Sequence, residues 1–344
     1  MTIWKCENVK KVVYILLIFV LAGLFAGQGR AQDPQMSQFY AAPLYLSPSL
    51  AGSTDGSRAV ANYRNQWPAI PKAFVTYMFS FDHYFYRVKS GAGFLFSRDQ
   101  AGAGRLGTTN IGLQYSYRIR INKDWEVRPG LQCYFSQRSI DISKLTFFDQ
   151  LSTGQSSSVE EINYLKRTGY LDFTASALVF SYKNWMGLTI DHLTEPNESL
   201  REDMSRIPRK YTVFGGTKIP LNQRLGKYGE EALTLSFLYK AQGKYDQLDI
   251  GAYWSKSPLT LGLWYRGIPG LKAYEPGYQN NDAVMIMIGY GLEDLKVGYS
   301  YDLTISRLAT SSGGSHEISV IYEFWQEQKV RKRRKHLIVP CPKL

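Results

Sequence analysis

Apolar and polar residues alternate one by one in many stretches of this chain, which is the pattern of extended strands. In the clearest stretch, Ile111, Leu113 and Tyr115 alternate with Gly112 and Gln114. Successive side chains of a strand point to opposite faces of its sheet, so one face here is apolar and the other is small or polar. The alternation continues to residue 121, and a tilted strand needs about 9–11 residues to cross a bilayer.

The same alternation recurs along the body of the chain, and we predict about fourteen strands, a number within the range of transmembrane barrels. Strong cases cover 75–82, 125–136, 295–306 and 318–324, and weaker cases cover 58–67, 91–98, 170–182, 184–193, 209–221, 231–242, 247–255, 259–267 and 283–292. Short turn signals at 122–124, 257–258 and 293–294 are interspersed with longer polar joins at 140–166, 195–208 and 268–282. Transmembrane barrels have short periplasmic turns and longer extracellular loops in this way. Two of the joins, 140–166 and 195–208, have room for a short helix.

A water-soluble β-sandwich is the alternative, because its strands also alternate, with their apolar side chains toward a core. Strands of soluble proteins usually have about five or six residues, whereas several of the predicted strands are much longer. Their length therefore favours a different all-β fold, a transmembrane antiparallel β-barrel. The polar faces of the predicted strands are rich in Gly, Ser and Thr, which suits a crowded barrel interior.

The first 31 residues have the features of a secretory signal peptide. Lys5, Lys10 and Lys11 precede an uncharged apolar run at 12–26, and small residues lead to Ala31. An N-terminal membrane anchor is the alternative, but the run is short for a membrane span. Export combined with a membrane barrel predicts the outer membrane of a Gram-negative bacterium.

A different kind of segment, residues 32–57, precedes the barrel, which we place at 58–328. Three prolines interrupt this N-terminal arm, and proline cannot donate the hydrogen bond that a ladder strand needs. A mobile arm is one interpretation, although it would leave many apolar groups in water. We expect instead that the arm packs into or beneath the barrel, and the residues expected to carry this packing are Phe39, Tyr40, Tyr45 and Pro48.

Residues 329–344 form a basic tail that carries most of the charge of the chain. Of the net charge of +12, +3 lies in residues 1–31 and +7 in the tail, which leaves +2 for the rest. The nearly neutral body argues against a nucleic-acid partner. In an even-stranded barrel both chain ends face the periplasm, where the tail would meet an acidic protein, peptidoglycan or lipid head groups. A solvated tail without a partner is the alternative. The candidate partner-binding residues are Lys329, Arg331, Lys332, Arg333, Arg334, Lys335 and Cys341.

Motifs for catalysis, metals and cofactors are not found in the sequence. The four histidines lack metal-ligand spacing, and no nucleophile elbow, phosphate loop or paired-carboxylate motif occurs. The glycines of 102–107 have the spacing of a dinucleotide fingerprint, but a strand follows them instead of a helix, which favours a hairpin connection. Two widely separated cysteines after the signal peptide do not suggest a disulfide framework. We therefore expect a protein that is not an enzyme and has no cofactor.

Five stretches of the chain form a recognisable set: QDP at 32–34, SQFY at 37–40, PLYLSPSLAG at 43–52, NYRNQWP at 62–68 and DQAG at 99–102. Together with the basic tail and its Pro340-Cys341-Pro342 end, they resemble the PorP/SprF family of outer-membrane proteins of the Bacteroidetes type IX secretion system. The family commonly has Asn-Pro-Ala where this chain has Ser47-Pro48-Ser49, a departure that bears on the subgroup.

The resemblance implies a barrel of about fourteen strands without enzymatic activity, which supports the secretion or surface anchoring of large proteins, including gliding adhesins. The partners it implies are a secreted adhesin or another client with a sorting domain, and periplasmic components of the secretion system, such as a ring lipoprotein or a peptidoglycan-linked protein. Outer-membrane lipid surrounds such a barrel. A diffusion channel or small-molecule transporter of the outer membrane is the alternative function.

Overall fold

Strands make up most of the residues that the structure describes. The computed structural model describes residues 33–54, 56–70, 74–102, 104–141, 143, 145–146, 148–154, 167–200, 203–222, 231–268, 281–306, 312–324, 337 and 339–341. The predicted signal peptide and residues 329–335 of the tail lie outside the described residues.

Fifteen strand segments follow one another along the described chain. They are β1 (Ser57–Gln66), β2 (Phe74–Phe85), β3 (Ser90–Ala101), β4 (Leu106–Tyr117), β5 (Ile119–Arg120), β6 (Glu126–Ser139), β7 (Arg167–Phe180), β8 (Asn184–Asp191), β9 (Lys210–Asn222), β10 (Glu231–Gln242), β11 (Tyr245–Lys256), β12 (Leu259–Gly267), β13 (Asn281–Leu292), β14 (Leu295–Thr304) and β15 (Ser315–Phe324).

Each strand pairs in antiparallel fashion with its neighbours in sequence, and the first pairs with the last. Segments β4 and β5 are two parts of one strand, since both pair with β6 and Arg118 alone separates them. Strand β1 pairs with β15 over its whole length, from Ser57 opposite Phe324 to Gln66 opposite Ser315. The sheet is therefore a closed antiparallel barrel of fourteen strands, and the predicted fold class is confirmed.

The outer surface of the barrel is apolar, as a bilayer requires. Ile111, Leu113 and Tyr115 point outward and are exposed, whereas Gln114 and Ser116 on the alternate positions are buried inside. Many side chains that water would hydrate poorly are exposed on the other strands, among them Tyr77, Phe79, Leu131, Phe135, Leu171, Leu263, Ile286, Ile288, Ile318 and Tyr322. An apolar surface of this extent is stable in lipid and not in water.

The joins between strands differ in length at the two ends of the barrel. At the end where β1 begins and β15 ends, the joins include 86–89, 121–125, 181–183, 257–258 and 293–294, and we call it the short-join end. The opposite end carries longer joins, including 140–166, 192–209, 268–280 and 305–314, and we call it the long-join end.

Helical structure is confined to short turns in the described part of the chain. Helix α1 (Pro43–Leu46) lies in the arm, and helix α2 (Phe148–Thr153) lies in one of the two joins expected to have room for a helix. The other join, 195–208, contains an isolated bridge between Asn197 and Arg206 in its described residues. No helix among the described residues is long and apolar enough to span a membrane.

Candidate functional site

The arm lies inside the barrel as a series of tight turns. Helix α1 and the 3-10 turn Pro48–Leu50 each have proline in their first turn, while the 3-10 turn Phe39–Ala41 precedes them. Proline suits this position because it fixes its own φ and lacks an N–H that a first turn leaves unpaired. The large apolar side chains of the arm that are buried in the barrel interior are Met36, Phe39, Tyr40, Leu44, Leu46 and Leu50.

Side chains of the barrel wall satisfy backbone groups that the arm cannot pair in a ladder. Gln114 Nε2 donates to the carbonyl of Leu44 at 2.7 Å, and Arg128 Nη2 donates to the carbonyl of Ala51 at 2.8 Å. The N–H of Gly52 donates to Asp82 Oδ2 at 2.7 Å. Buried backbone groups are costly when unpaired, so the polar inner face is matched to this arm.

A buried group of charges binds the beginning of the arm near the long-join end. The N–H groups of Ser37 and Gln38 donate to the two oxygens of Glu317, at 2.7 and 3.0 Å. Arg64 pairs with Asp302 at 2.8 Å and with Glu317 at 3.1 Å. Arg266 pairs with Asp249 at 3.3 Å and lies 3.5 Å from Asp302. We call Arg64, Asp249, Arg266, Asp302 and Glu317 the lumen charge cluster.

Aromatic rings hold the middle of the arm. The ring of Phe39 meets that of Trp264 edge-on, with centroids 4.8 Å apart, and Trp185 Nε1 donates to the Tyr40 hydroxyl at 3.1 Å. The Tyr40 ring also meets that of Tyr253, with centroids 6.4 Å apart. Burial raises the pKa of Tyr40 well above its ordinary value, so the phenol stays neutral. Aromatic contacts of this kind add to the stability that burial alone provides.

Two wall glycines allow the arm backbone to approach the sheet closely. A Cβ atom added to Gly91 would lie 2.0 Å from the carbonyl oxygen of Ala51, and one added to Gly130 would lie 2.3 Å from the nitrogen of Ser49. Such distances are far inside van der Waals contact, so any other residue at these positions would displace the arm.

The four arm residues singled out in the sequence occupy different surroundings. Phe39, Tyr40 and Pro48 are buried inside the barrel. Tyr45 is partly buried; its hydroxyl donates to the carbonyl of Pro34 at 2.5 Å, and Lys210 Nζ lies 5.6 Å from its ring centre. The first three lie among the inner wall residues, and Tyr45 lies near the long-join end, where β9 begins.

The candidate partner-binding residues of the tail are not brought together by the described structure. Residues 329–335 lie outside the described residues, whereas Cys341 packs against the interior cluster that contains Phe39 and Tyr40. Leu337 and Val339 are buried in the same cluster, and Arg118 Nη2 donates to the carbonyl of Leu337 at 3.0 Å.

Sequence reasoning missed the lumen charge cluster and the burial of Leu337 and Val339. The signal for the cluster was available, since Arg64, Asp302 and Glu317 all occupy inner positions of their alternating strands. Nothing in the alternation specifies which of these charges meet. The described residues contain no group of three His, Cys, Asp or Glu side chains placed to hold a metal ion.

Comparison with protein families identifies the chain. A model described as the type IX secretion system membrane protein PorP/SprF matches residues 28–322. The chain belongs to the PorP/SprF family. With its apolar outer surface and closed sheet, this PorP/SprF protein is a secretion-related barrel of the outer membrane, as the sequence predicted. The match covers nearly all of the described barrel. No curated protein sequence matches the chain significantly.

The solved structures that match the chain include other outer-membrane proteins, at TM-scores below 0.5. The toluene transporter TbuX of Ralstonia pickettii has a TM-score of 0.47 at 8% identity, with 86% of this chain and 95% of that chain covered. The TodX monoaromatic hydrocarbon channel, as a deletion mutant, has a TM-score of 0.45 at 12% identity over 81% and 92%. Omp33 of Acinetobacter baumannii has a TM-score of 0.42 at 8% identity over 79% and 100%.

Proposed function

We propose that this barrel is a non-enzymatic part of the type IX secretion or gliding machinery, which supports the secretion or surface anchoring of large proteins. It acts by binding: secreted adhesins or other clients on one side, and a periplasmic component of the machinery on the other. Membership of a type IX secretion family supports this role. The observation that carries the binding mechanism is the arm, whose turns occupy the interior that a transporter would need for solutes.

The basic stretch 329–335 is the proposed contact for the periplasmic component. It follows β15, which ends at the short-join end, and short joins face the periplasm in barrels of this class. Six of its seven residues are Lys or Arg. A dense positive charge attracts an acidic surface over about 8 Å at physiological ionic strength, and it contributes nothing to a lipid-facing wall.

The test replaces Arg331, Lys332, Arg333, Arg334 and Lys335 together by Gln in the full-length chain. We expect an inserted barrel with normal heat-modifiable mobility, reduced secretion or adhesin display, and weaker capture of the periplasmic component. The matched control replaces five exposed basic residues in the short joins and strand ends at the same end of the barrel, namely Arg87, Lys89, Lys123, Lys183 and Lys256. Equal secretion by both variants would show that the stretch is only a solvated connection.

A diffusion channel is tested separately by conductance in planar bilayers. Because the arm is buried against many strands, we expect the wild-type barrel to show no stable open-channel steps. Deletion of residues 34–50 should produce such steps if the variant inserts. Stable conductance by the wild-type protein would favour the channel function over the binding function.

A further inference from the structure

A groove crosses the outer surface of the barrel between β8 and β13, and we call it the wall groove. Its volume is about 890 Å³, within the range of about 300–1,000 Å³ that is usual for pockets that bind small ligands. Met186, Leu235, Ile250 and Leu263 line it, and all four side chains are exposed on the outer face. The wall groove therefore opens to the bilayer and not to the lumen.

The wall groove exists because a small side chain lies between large ones. Ala252 on β11 is directly opposite Leu235 on β10 and Leu263 on β12. Both leucines extend outward from the sheet, whereas the methyl group of Ala252 ends close to it. Most of the other lining residues are also apolar. An apolar groove at this position in a membrane is complementary to a hydrocarbon chain.

The floor of the wall groove is backed by the aromatic rings that hold the arm. Gly251 lines the groove, and a Cβ atom added to it on the inner side would lie 2.3 Å from Trp264 Cδ2. The Trp264 ring contacts that of Phe39 in the arm, with centroids 4.8 Å apart. The wall groove thus lies on the outer side of the same part of the wall that holds the middle of the arm.

Polar groups lie on the same outward face, nearer the short-join end. Trp254 and Lys256 follow Ala252 on this face of β11, because side chains two residues apart point the same way. Lys256 is exposed at the end of the strand, and Glu231 lies directly opposite it on β10. Trp254 Nε1 donates to Glu231 Oε1 at 2.9 Å. Tryptophan is enriched at the head-group level of membrane proteins, which places these residues near the edge of the bilayer.

Lys256 and Glu231 present opposite charges side by side to a lipid head group. Lys256 forms no ion pair with another residue that the structure describes, and Trp254 uses one of the two Glu231 oxygens. A phosphate would be attracted by Lys256 and repelled by Glu231. A head group that carries a phosphate and a primary ammonium satisfies both, since the ammonium can donate to the carboxylate.

The dimensions fit one phospholipid in one leaflet. Ala252 and Lys256 are four residues apart, which is about 13 Å along a strand. One leaflet contributes about 15 Å of hydrocarbon to a bilayer. An acyl chain whose head group lies at Lys256 therefore passes Ala252 before it reaches the middle of the membrane.

We propose that the wall groove binds one phospholipid with an amine head group. Its acyl chain lies over Ala252, its phosphate at Lys256 and its ammonium at Glu231. Short joins face the periplasm in barrels of this class, so the bound lipid belongs to the periplasmic leaflet. The site does not depend on the proposed binding of secretion components.

The test uses the full-length barrel in nanodiscs of phosphatidylcholine. The probe is a small share of phosphatidylethanolamine that carries a photoactivatable group in the middle of one acyl chain, and cross-linked peptides are identified by mass spectrometry. We expect the cross-links to concentrate on β10, β11 and β12. Unlabelled phosphatidylethanolamine should compete with the probe, and phosphatidylglycerol should compete less well because it has no ammonium for Glu231.

Two variants with matched controls test the two parts of the site. Ala252→Trp fills the wall groove and should abolish the concentration of cross-links. Its control is Ala61→Trp, at an exposed alanine that is likewise four residues from the short-join end of its strand. Lys256→Gln should weaken competition by phosphatidylethanolamine about fivefold, which corresponds to about 1 kcal/mol for an exposed ion pair. Its control is Lys123→Gln, in another short join.

Cross-links that are spread evenly over the lipid face, or that unlabelled lipid does not reduce, would overturn the proposal, since lipid would then surround the barrel without a specific site. Equal losses in Ala252→Trp and Ala61→Trp would exclude the wall groove. Equal competition by phosphatidylglycerol would overturn the assignment of the head group. A changed oligomeric state of Ala252→Trp with unchanged lipid cross-links would show that a second copy occupies the groove. If Ala252→Trp does not fold, competition in the wild type and in Lys256→Gln decides.

Discussion

Replacement of Arg64 by Met is expected to destabilise the barrel more than any exposed charge removal. The Arg64 side chain is 2% exposed and holds Asp302 and Glu317, and its Nη1 also donates to Ser37 Oγ at 2.7 Å. Met has a similar length and no charge, so Arg64→Met removes the pairing while it keeps most of the volume. The two carboxylates then remain buried with less positive charge around them.

The expected cost is about 3–5 kcal/mol, which is the range for removing one partner of a buried ion pair. Arg266 stays 3.5 Å from Asp302, so the loss falls mainly on Glu317. Arg64→Met combined with Glu317→Gln should therefore recover part of the stability, because the remaining side chain at 317 is neutral. The matched control is Arg209→Met, whose pair with Glu195 is long, at 3.6 Å, and whose side chain is 47% exposed. Exposed pairs contribute about 0–1 kcal/mol.

The assay is equilibrium unfolding by urea in lipid vesicles, followed by the heat-modifiable mobility of the folded barrel. We expect the midpoint to fall strongly for Arg64→Met, to rise again for the double variant, and to stay near wild type for Arg209→Met. If Arg64→Met is no less stable than Arg209→Met, the lumen charge cluster does not hold the arm in the way its distances indicate. If the double variant is less stable than Arg64→Met alone, the buried Glu317 charge is not the origin of the cost.

Three further predictions follow from the wall, the topology and the arm. Leu113→Arg, at the middle of an outward row, should lower the free energy of unfolding by about 2–4 kcal/mol, and Ile121→Arg, beyond the strand, by about 0–1 kcal/mol, because the loss depends on depth in the bilayer. Equal urea midpoints would contradict the assignment of the lipid face. In a chain without other cysteines, Thr153→Cys should react with an impermeant maleimide on intact cells and Lys123→Cys only after permeabilisation, because these exposed residues lie at opposite ends of the barrel. The reverse labelling would show that the barrel has the opposite orientation in the membrane. Gly91→Val should leave the barrel inserted but make the arm sensitive to protease, because the valine Cβ would collide with the backbone of the arm. An arm as resistant as in the wild type would show that the close contact is not maintained.

The strands were predictable because each face of a strand meets one kind of surroundings, lipid outside and the polar lumen inside. The alternation predicts strands at 231–242 and 259–267, and the structure has them at Glu231–Gln242 and Leu259–Gly267. Lipid accepts only apolar side chains over most of the outer face, so every second residue carries the signal independently of its partners. The closed antiparallel order follows from such a series of strands joined by turns.

The contents of the lumen were not predictable in the same way. Ser37 meets Asp302 across 265 positions of sequence, and Leu337 meets Arg118 across 219. The arm and the stretch around Leu337 and Val339 have no repeating pattern in the sequence, so no periodicity specifies their partners. Gln114 illustrates the limit: the alternation places it on a polar inner face, but its buried bond to the Leu44 carbonyl is set by the fold of the arm.

The arm separates the width of this barrel from the space that remains free inside it. The interior of a barrel widens with the number of strands, and wide barrels normally admit solutes. Here residues from Ser37 near one end to Gly52 near the other occupy that interior. The circumference can thus carry many joins on each side of the membrane, while the arm fills much of the space that the strands enclose.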